Sequence, residues 1–233
     1  MIIKKVMRML ITEKQKELIR KIITEAVKVD VFYDTHNSAP KSAPAVTTLI
    51  PVSVDDLPFV PPPADNSPAG QADLFHVLNQ MNDPITAPEI SEIYDKAPLE
   101  LFKSYVESKG RSYNEGYYKI LQKDLIPLIY EIKLVYNRLR PFQLADLLNI
   151  EIEKYNTDTT QTSSYPSGHA IQAYVVAIVL AHQFPDLTAG LLEVAELISQ
   201  SRIDYGFHYQ SDVIFGRMLA SLIAKEILDE HFA

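Results

Sequence analysis

Apolar positions recur at helical spacing along most of this chain, and runs that alternate apolar with polar residues, the mark of a half-buried strand, are nearly absent. In residues 12–29, "TEKQKELIRKIITEAVKV", the residues Leu18, Ile22, Ile23 and Ala26 share one helical face, with Thr12 as N-cap. Beyond residue 70 the same periodicity predicts helices over 70–81, 87–94, 97–109, 114–139 (bent or broken at Pro127), 142–149, 169–183, 187–200 and 208–230. The pattern lapses in two places. Residues 31–69 hold eight of the fifteen prolines, which forbids a regular helix. They also keep Leu49, Ile50, Val52, Leu57, Phe59 and Val60, so they read as an extended arm lying on a helical body. Residues 149–166, "NIEIEKYNTDTTQTSSYP", are polar and turn-rich and read as a loop. The expected fold is an all-α bundle in a single domain, 1–233. Within it, residues 1–69 form a helix and the proline-rich arm, and residues 70–233 form the helical core.

Composition narrows the chemistry. A chain of 233 residues, 47% hydrophobic, builds a large core without staples. It has no cysteine, which excludes disulfides and thiolate–metal sites. The formal net charge of -8 argues against a nucleic-acid binder, but is compatible with a small cationic pocket for an anion. The opening "MIIKKVMRMLITEKQKELIRKI" breaks its apolar run at Arg8 and Glu13, so no secretory signal is expected and a cytoplasmic location is favoured. No stretch reaches the ~18 uninterrupted apolar residues of a membrane span. The nearest, "AIQAYVVAIVLAHQF", is short, carries Gln172 and His182, and reads as a buried core helix.

Three short clusters carry candidate chemistry. In "KLVYNRLRP", Lys133 and Arg140 lie seven residues apart, so one helix would hold them on one face about 10 Å apart, with Pro141 ending it. Alone, this could be a solvated basic face. In "SSYPSGHA", Ser167 and Gly168 open a helix whose free N–H groups would bind phosphate, and His169 sits beside it. Alone, this is an ordinary helix start. A serine hydrolase is excluded: there is no G-x-S-x-G elbow, and residues two apart on a helix do not face each other. In "SRIDYGFHYQSD", Arg202 precedes His208 and Asp212, which share a face if 208–230 is helical. Asp212 could then hold one imidazole nitrogen and leave the other free as a nucleophile. A surface His–Asp pair is the plain alternative. A metal site is disfavoured by three fixed cations around it.

Taken in order, K-x6-R-P, P-S-G-H and S-R-x5-H-x3-D resemble the type 2 phosphatidic acid phosphatase (PAP2) superfamily, which shares its site with vanadium haloperoxidases. "SYPSGH", "SRIDYGFHYQSDV" and the "PPP" run ahead of a helix near residue 71 are most similar to the soluble bacterial class A non-specific acid phosphatases. The resemblance implies a PAP2-type helical bundle and a metal-independent phosphomonoesterase without a cofactor, acting on small phosphate esters. It implies that Lys133, Arg140, Ser167, Gly168 and Arg202 bind the phosphoryl oxygens. His208 would form a phosphohistidine, Asp212 would orient it, and His169 would protonate the leaving oxygen. It also implies a homodimer, and it sets a periplasmic location beside the cytoplasmic one, although secreted members carry a signal peptide and none is seen here. Ala170 stands where that class often has threonine. The competing readings are a vanadium haloperoxidase (usually a much longer chain), a lipid phosphatase, which would need membrane helices, and a non-catalytic phosphate-binding protein, which would need neither His169 nor His208. His36, His76, His182 and His231 have no motif partners.

Overall fold

A computed structural model describes residues 49–58, 60–86, 91–155 and 157–232. Among these residues there is no strand. The chain forms α1 (Pro68–Asn82), α2 (Ser91–Lys96), α3 (Pro98–Ser108), α4 (Glu115–Tyr136), α5 (Pro141–Leu147), α6 (Gly168–Gln183), α7 (Thr188–Asp204) and α8 (Gln210–Phe232), with 3-10 turns at Val54–Asp56, Asp158–Thr160 and Pro185–Leu187. The expected all-α bundle is therefore the observed architecture. The predicted helix 12–29, arm residues 31–48 and the first residues of the predicted helix 87–94 lie outside the described residues.

Helix α6 is apolar on nearly every face, and such a helix must be surrounded. It is: Ile171, Val175, Val176, Ala177 and Leu180 are all buried, with α7 and α8 packed along it and α4 across it. Gly216 of α8 permits the close approach, because a Cβ there would lie 2.9 Å from the Ser167 carbonyl oxygen and 3.1 Å from the Ala170 side chain. The Ser167 N–H donates to the Asp212 carbonyl (3.1 Å), so the starts of α6 and α8 are tied together.

Two apolar clusters flank this junction. The larger joins α3, α4, α6, α7 and α8; the smaller joins α1, Leu139, α5, Ala170, Ile203, Tyr209 and Val213. The described part of the arm packs onto the body as its apolar residues predict. Ile50 and Leu57 enter the larger cluster, and the Tyr165 hydroxyl donates to the Val60 carbonyl (2.6 Å).

Helix boundaries differ from expectation at several points. Of the two expectations at Pro127, a bend or a break, the break does not occur: Pro127 is buried inside a continuous α4. The helix stops at Tyr136, because Asn137 takes a left-handed conformation (φ 43°). Helix α7 runs on to Asp204 and so carries Arg202 in its last turn. The reversal from α7 into α8 uses Gly206 at φ 68°.

Candidate active site

The early end of α4 changes the geometry of the first cluster. Lys133 sits in the last turn of α4, but Arg140 is not on that helix; it is the residue before α5, with Pro141 in the first turn. The Arg140 N–H donates to the Gln143 side chain (2.8 Å), which fixes the entry of α5. Lys133 and Arg140 still border one cavity, brought together by the turn rather than by helical spacing. The Lys133 amine donates to the carbonyls of Ser163 (2.5 Å) and Ser164 (3.2 Å). Arg140 donates to the carbonyls of Thr162 (2.8 Å), Phe207 (2.8 Å) and Thr159 (3.3 Å).

Helix α8 begins at Gln210, so His208 precedes it, against the sequence expectation of a shared helical face. The pair meets by a cap instead. Asp212, at the third helical position, accepts from the Tyr209 N–H (3.0 Å), the reach-back half of a capping box. The same oxygen, Oδ2, accepts from His208 Nδ1 (3.1 Å) and from the Ser164 hydroxyl (2.5 Å). A carboxylate only accepts, so Nδ1 carries the hydrogen and Nε2 keeps its lone pair. Nε2 lies 3.4 Å from Arg140 Nη1.

Ser167 caps α6, its hydroxyl facing the Ala170 N–H (3.4 Å), and is fully buried. Gly168 and His169 follow on the cavity wall. His169 Nε2 donates to the main-chain carbonyl of Asp95 on α2 (2.9 Å), which leaves Nδ1 as its other nitrogen. The Asp95 carboxylate accepts from Arg202 Nη1 (2.7 Å) and from the Thr159 hydroxyl (2.7 Å), and the Thr157 hydroxyl donates to it as well. Arg202 Nη2 donates to Thr159 Oγ1 (2.9 Å), and its guanidinium lies 4.4 Å over the Phe207 ring.

The cavity measures about 290 Å³. Lys133, Arg140, Thr159, Gly168, His169 and His208 form its polar wall, and Ile126, Ile129 and Tyr130 an apolar one. Of the sequence-derived site residues, Lys133, Arg140, Gly168, His169 and His208 thus meet in one space. Asp212 stands behind His208, Ser167 is enclosed at the cap, and Arg202 is screened by Asp95.

Burial dominates the electrostatics. It pushes Lys133 well below the usual amine range, with Arg140 adding to the effect, and brings Arg140 down to about 9 with Arg202 adding. Burial, then Arg140, holds His208 far below its ordinary value and so neutral. Burial, then Arg202, lowers His169 to about 3. Burial would raise Asp212 and Asp95, but the adjoining arginines outweigh it: Arg138 holds Asp212 well below the carboxylate range, and Arg202 with Thr157 and Thr159 holds Asp95 at about 2. Two buried basic groups resting on neutral carbonyls favour an anion in the cavity, which would raise their proton affinity.

Four contributors escape a motif reading. Arg138 lies inside the K-x6-R-P spacing and could have been noticed as a third cation there. Ser164 precedes P-S-G-H by two residues. Asp95 and Thr159 carry no sequence signal, one on a six-residue helix and the other in a polar loop. Among the described residues, no three His, Asp or Glu side chains converge to hold a metal ion, and no helix is long and apolar enough to cross a membrane.

Residues 120–229 match the PAP2 superfamily. The chain is 40% identical over 86 residues to an acid phosphatase of Zymomonas mobilis, covering 37% of this chain and 32% of that protein. It is 36% identical over 90 residues to a non-specific acid phosphatase of Salmonella typhimurium, covering 39% and 36%. A non-specific acid phosphatase of Providencia stuartii is 34% identical over 86 residues, covering 37% and 34%. The matched part spans about a third of the length of each relative.

Proposed function

Residues 120–229 match the PAP2 superfamily, and from that premise we propose that this protein is a phosphomonoesterase that hydrolyses small phosphate esters through a phosphohistidine, without a metal. The observation that carries the reading is His208: neutral, with Nδ1 on Asp212 and the Nε2 lone pair beside Arg140 on the wall of a cationic cavity. An anion-binding pocket alone has no use for a nucleophile so prepared.

In the proposed reaction Lys133, Arg140 and the start of α6 with Ser167 and Gly168 hold the phosphoryl oxygens. Phosphoryl transfer is favoured chiefly by such positioning and by fixed positive charge. His208 Nε2 forms the P–N bond as the ester P–O bond breaks. The His169 Nδ1 proton passes to the departing oxygen, while Nε2 stays on the Asp95 carbonyl. Water then attacks phosphorus, gives its proton to His169 Nδ1, and the P–N bond breaks. Burial, then Arg202, lowers His169 to about 3, and a phosphate dianion beside it raises its proton affinity, so substrate itself loads the acid. Arg202 joins the phosphate cradle if its Nη1 leaves Asp95 or its Nη2 leaves Thr159; otherwise it acts through Asp95 and Thr159.

Rapid quench of the enzyme with labelled nitrophenyl phosphate tests this directly. The expected product is a label stable in base and lost in acid, present in wild type and absent in His208→Ala. Label on serine, or no covalent species on the millisecond scale, overturns the nucleophile assignment.

A further inference from the structure

Arg138 has no place in the roles above, yet it is among the most enclosed side chains of the protein, with a relative exposure of 0%. It does not border the cavity. Its Nη1 donates to Asp212 Oδ1 (2.6 Å) and to the Ser211 hydroxyl (2.7 Å), and its Nη2 donates to Asp73 Oδ2 on α1 (3.0 Å). Asp65, in the proline-rich arm, stands 3.8 Å from its Nε. The guanidinium lies over the Tyr209 ring, its carbon 3.8 Å from the centroid.

We propose that Arg138 is a positioning residue for the nucleophile: by gripping Asp212 through the oxygen that His208 does not use, it fixes the direction of that carboxylate and keeps it ionised. This rests on the reading of His208 as nucleophile. Asp212 Oδ2 already serves Nδ1 of His208, the Tyr209 N–H and Ser164. A carboxylate so placed could still rotate or take up a proton. A charge-assisted bond to Oδ1 prevents the first by geometry and the second by charge. The hydrogen on Nδ1, and with it the lone pair on Nε2, follows.

An arginine is required because its planar fork reaches Asp212 and Asp73 at once while its guanidinium sits over Tyr209. A lysine offers a single point charge and must desert one of them. The second carboxylate ties the device to α1, and Asp65 ties it to the arm. The nucleophile's partner is therefore anchored to parts of the chain that never touch the phosphate.

The plain alternative is that Arg138 only staples α1 to α8. Arg138→Lys separates the two, with circular dichroism and thermal melting as the check on folding. As a positioning residue, its loss lowers kcat by about 10–100-fold, as removal of an outer partner of a ligating imidazole does, with little change in KM. The acid limb of kcat/KM moves to higher pH, because Asp212 now takes up a proton more readily. Nitrogen NMR of histidine-labelled protein, with His208 assigned from His208→Asn, reads the same event without turnover. In wild type Nδ1 of His208 carries the hydrogen; in Arg138→Lys the Nε2–H form appears as pH falls. A folded Arg138→Lys with the wild-type acid limb and tautomer overturns the proposal. If wild type has no phosphatase activity, the functional reading fails and the NMR still decides the role of Arg138.

Should Arg138→Lys not fold, Asp73→Asn tests the same claim. It frees Arg138 to hold Asp212 more firmly, so the acid limb stays or moves to lower pH and kcat falls far less than a staple would require. An upward move of the acid limb in Asp73→Asn overturns the proposal.

Discussion

Arg138 and Arg140 stand two residues apart, both buried, and the protein treats their charges in opposite ways. Around Arg138 the fold supplies Asp212, Asp73 and Asp65, so the cation is matched from within. Around Arg140 it supplies three main-chain carbonyls and the Nε2 of His208, none of which carries a negative charge. A buried charge is costly unless it is paired. Arg138 is paired by the chain, and its guanidinium is held even more firmly charged than usual against the effect of burial. Arg140, brought down to about 9, is left for something to arrive. The same residue type thus builds a closed support on one side of Leu139 and an open anion site on the other. The distinction is testable, because only the open side should respond to phosphate.

The largest effect expected is from His208→Ala, which should abolish turnover and covalent labelling while leaving the phosphate-induced rise in melting temperature, since the cations remain. Loss of that rise would mean that His208 supports the anion site itself. Next comes His169→Ala. Loss of a general acid costs typically about 10²–10⁴-fold, and it should fall harder on glycerol phosphate than on nitrophenyl phosphate, whose leaving oxygen needs no proton. The alkaline limb of kcat for the alkyl ester should vanish too. That limb reports His169 losing its proton as pH rises, and in the complex it lies above the unliganded value of about 3 because bound phosphate offsets Arg202. Equal losses on both esters, with chemistry rate-limiting, would remove His169 from this role.

Arg140→Met breaks the comparison at its open side. It should lower kcat by about 10²–10³-fold, the usual cost of one fixed donor at developing charge, and erase the melting shift with inorganic phosphate. Asp73→Asn, on the closed side, should keep that shift; if both variants lose it, the two sides are one network.

The smallest effect sharpens the closed side. Burial, only partly offset by Arg138, raises Asp65 from 3.8 to about 6. A carboxyl whose folded value is raised binds a proton more tightly folded than unfolded, so its cost grows as pH climbs from 3.8 to about 6 and is complete above. Asp65→Asn should therefore raise the melting temperature above pH 6 and do little near pH 4. Asp95 and Asp212 have the opposite sign: their folded values are depressed, so the stability they contribute is present above the unfolded value of 3.8 and is lost as pH falls through their folded values. A greater gain from Asp65→Asn in acid would contradict the burial argument.

Much of this was legible along the chain. Helices α3, α6 and α8 end within a few residues of where apolar periodicity places them, since periodicity and capping are local. The chain's motifs bring Lys133, Arg140, Gly168, His169 and His208 to one cavity. Illegible were the elements whose bonds come from afar. At Pro127 the chain allows a bend or a break, and only the packed structure shows the helix running on through it. Asp95 meets Arg202 across 107 residues, from a helix too short to show a period.

The sequence by itself determined the all-helical class, the apolar α6 and the residue types of the site, because each depends on neighbours within a few turns. Tertiary structure alone decided which nitrogen of His169 meets Asp95, which of His208 meets Asp212, and which of two neighbouring arginines is matched by carboxylates. Those outcomes rest on acceptors: the Asp95 carbonyl for His169, from 74 residues away, and Asp73 for Arg138, from 65. No local pattern encodes such an acceptor; the charge that the fold leaves unpaired becomes visible only when the helices have packed.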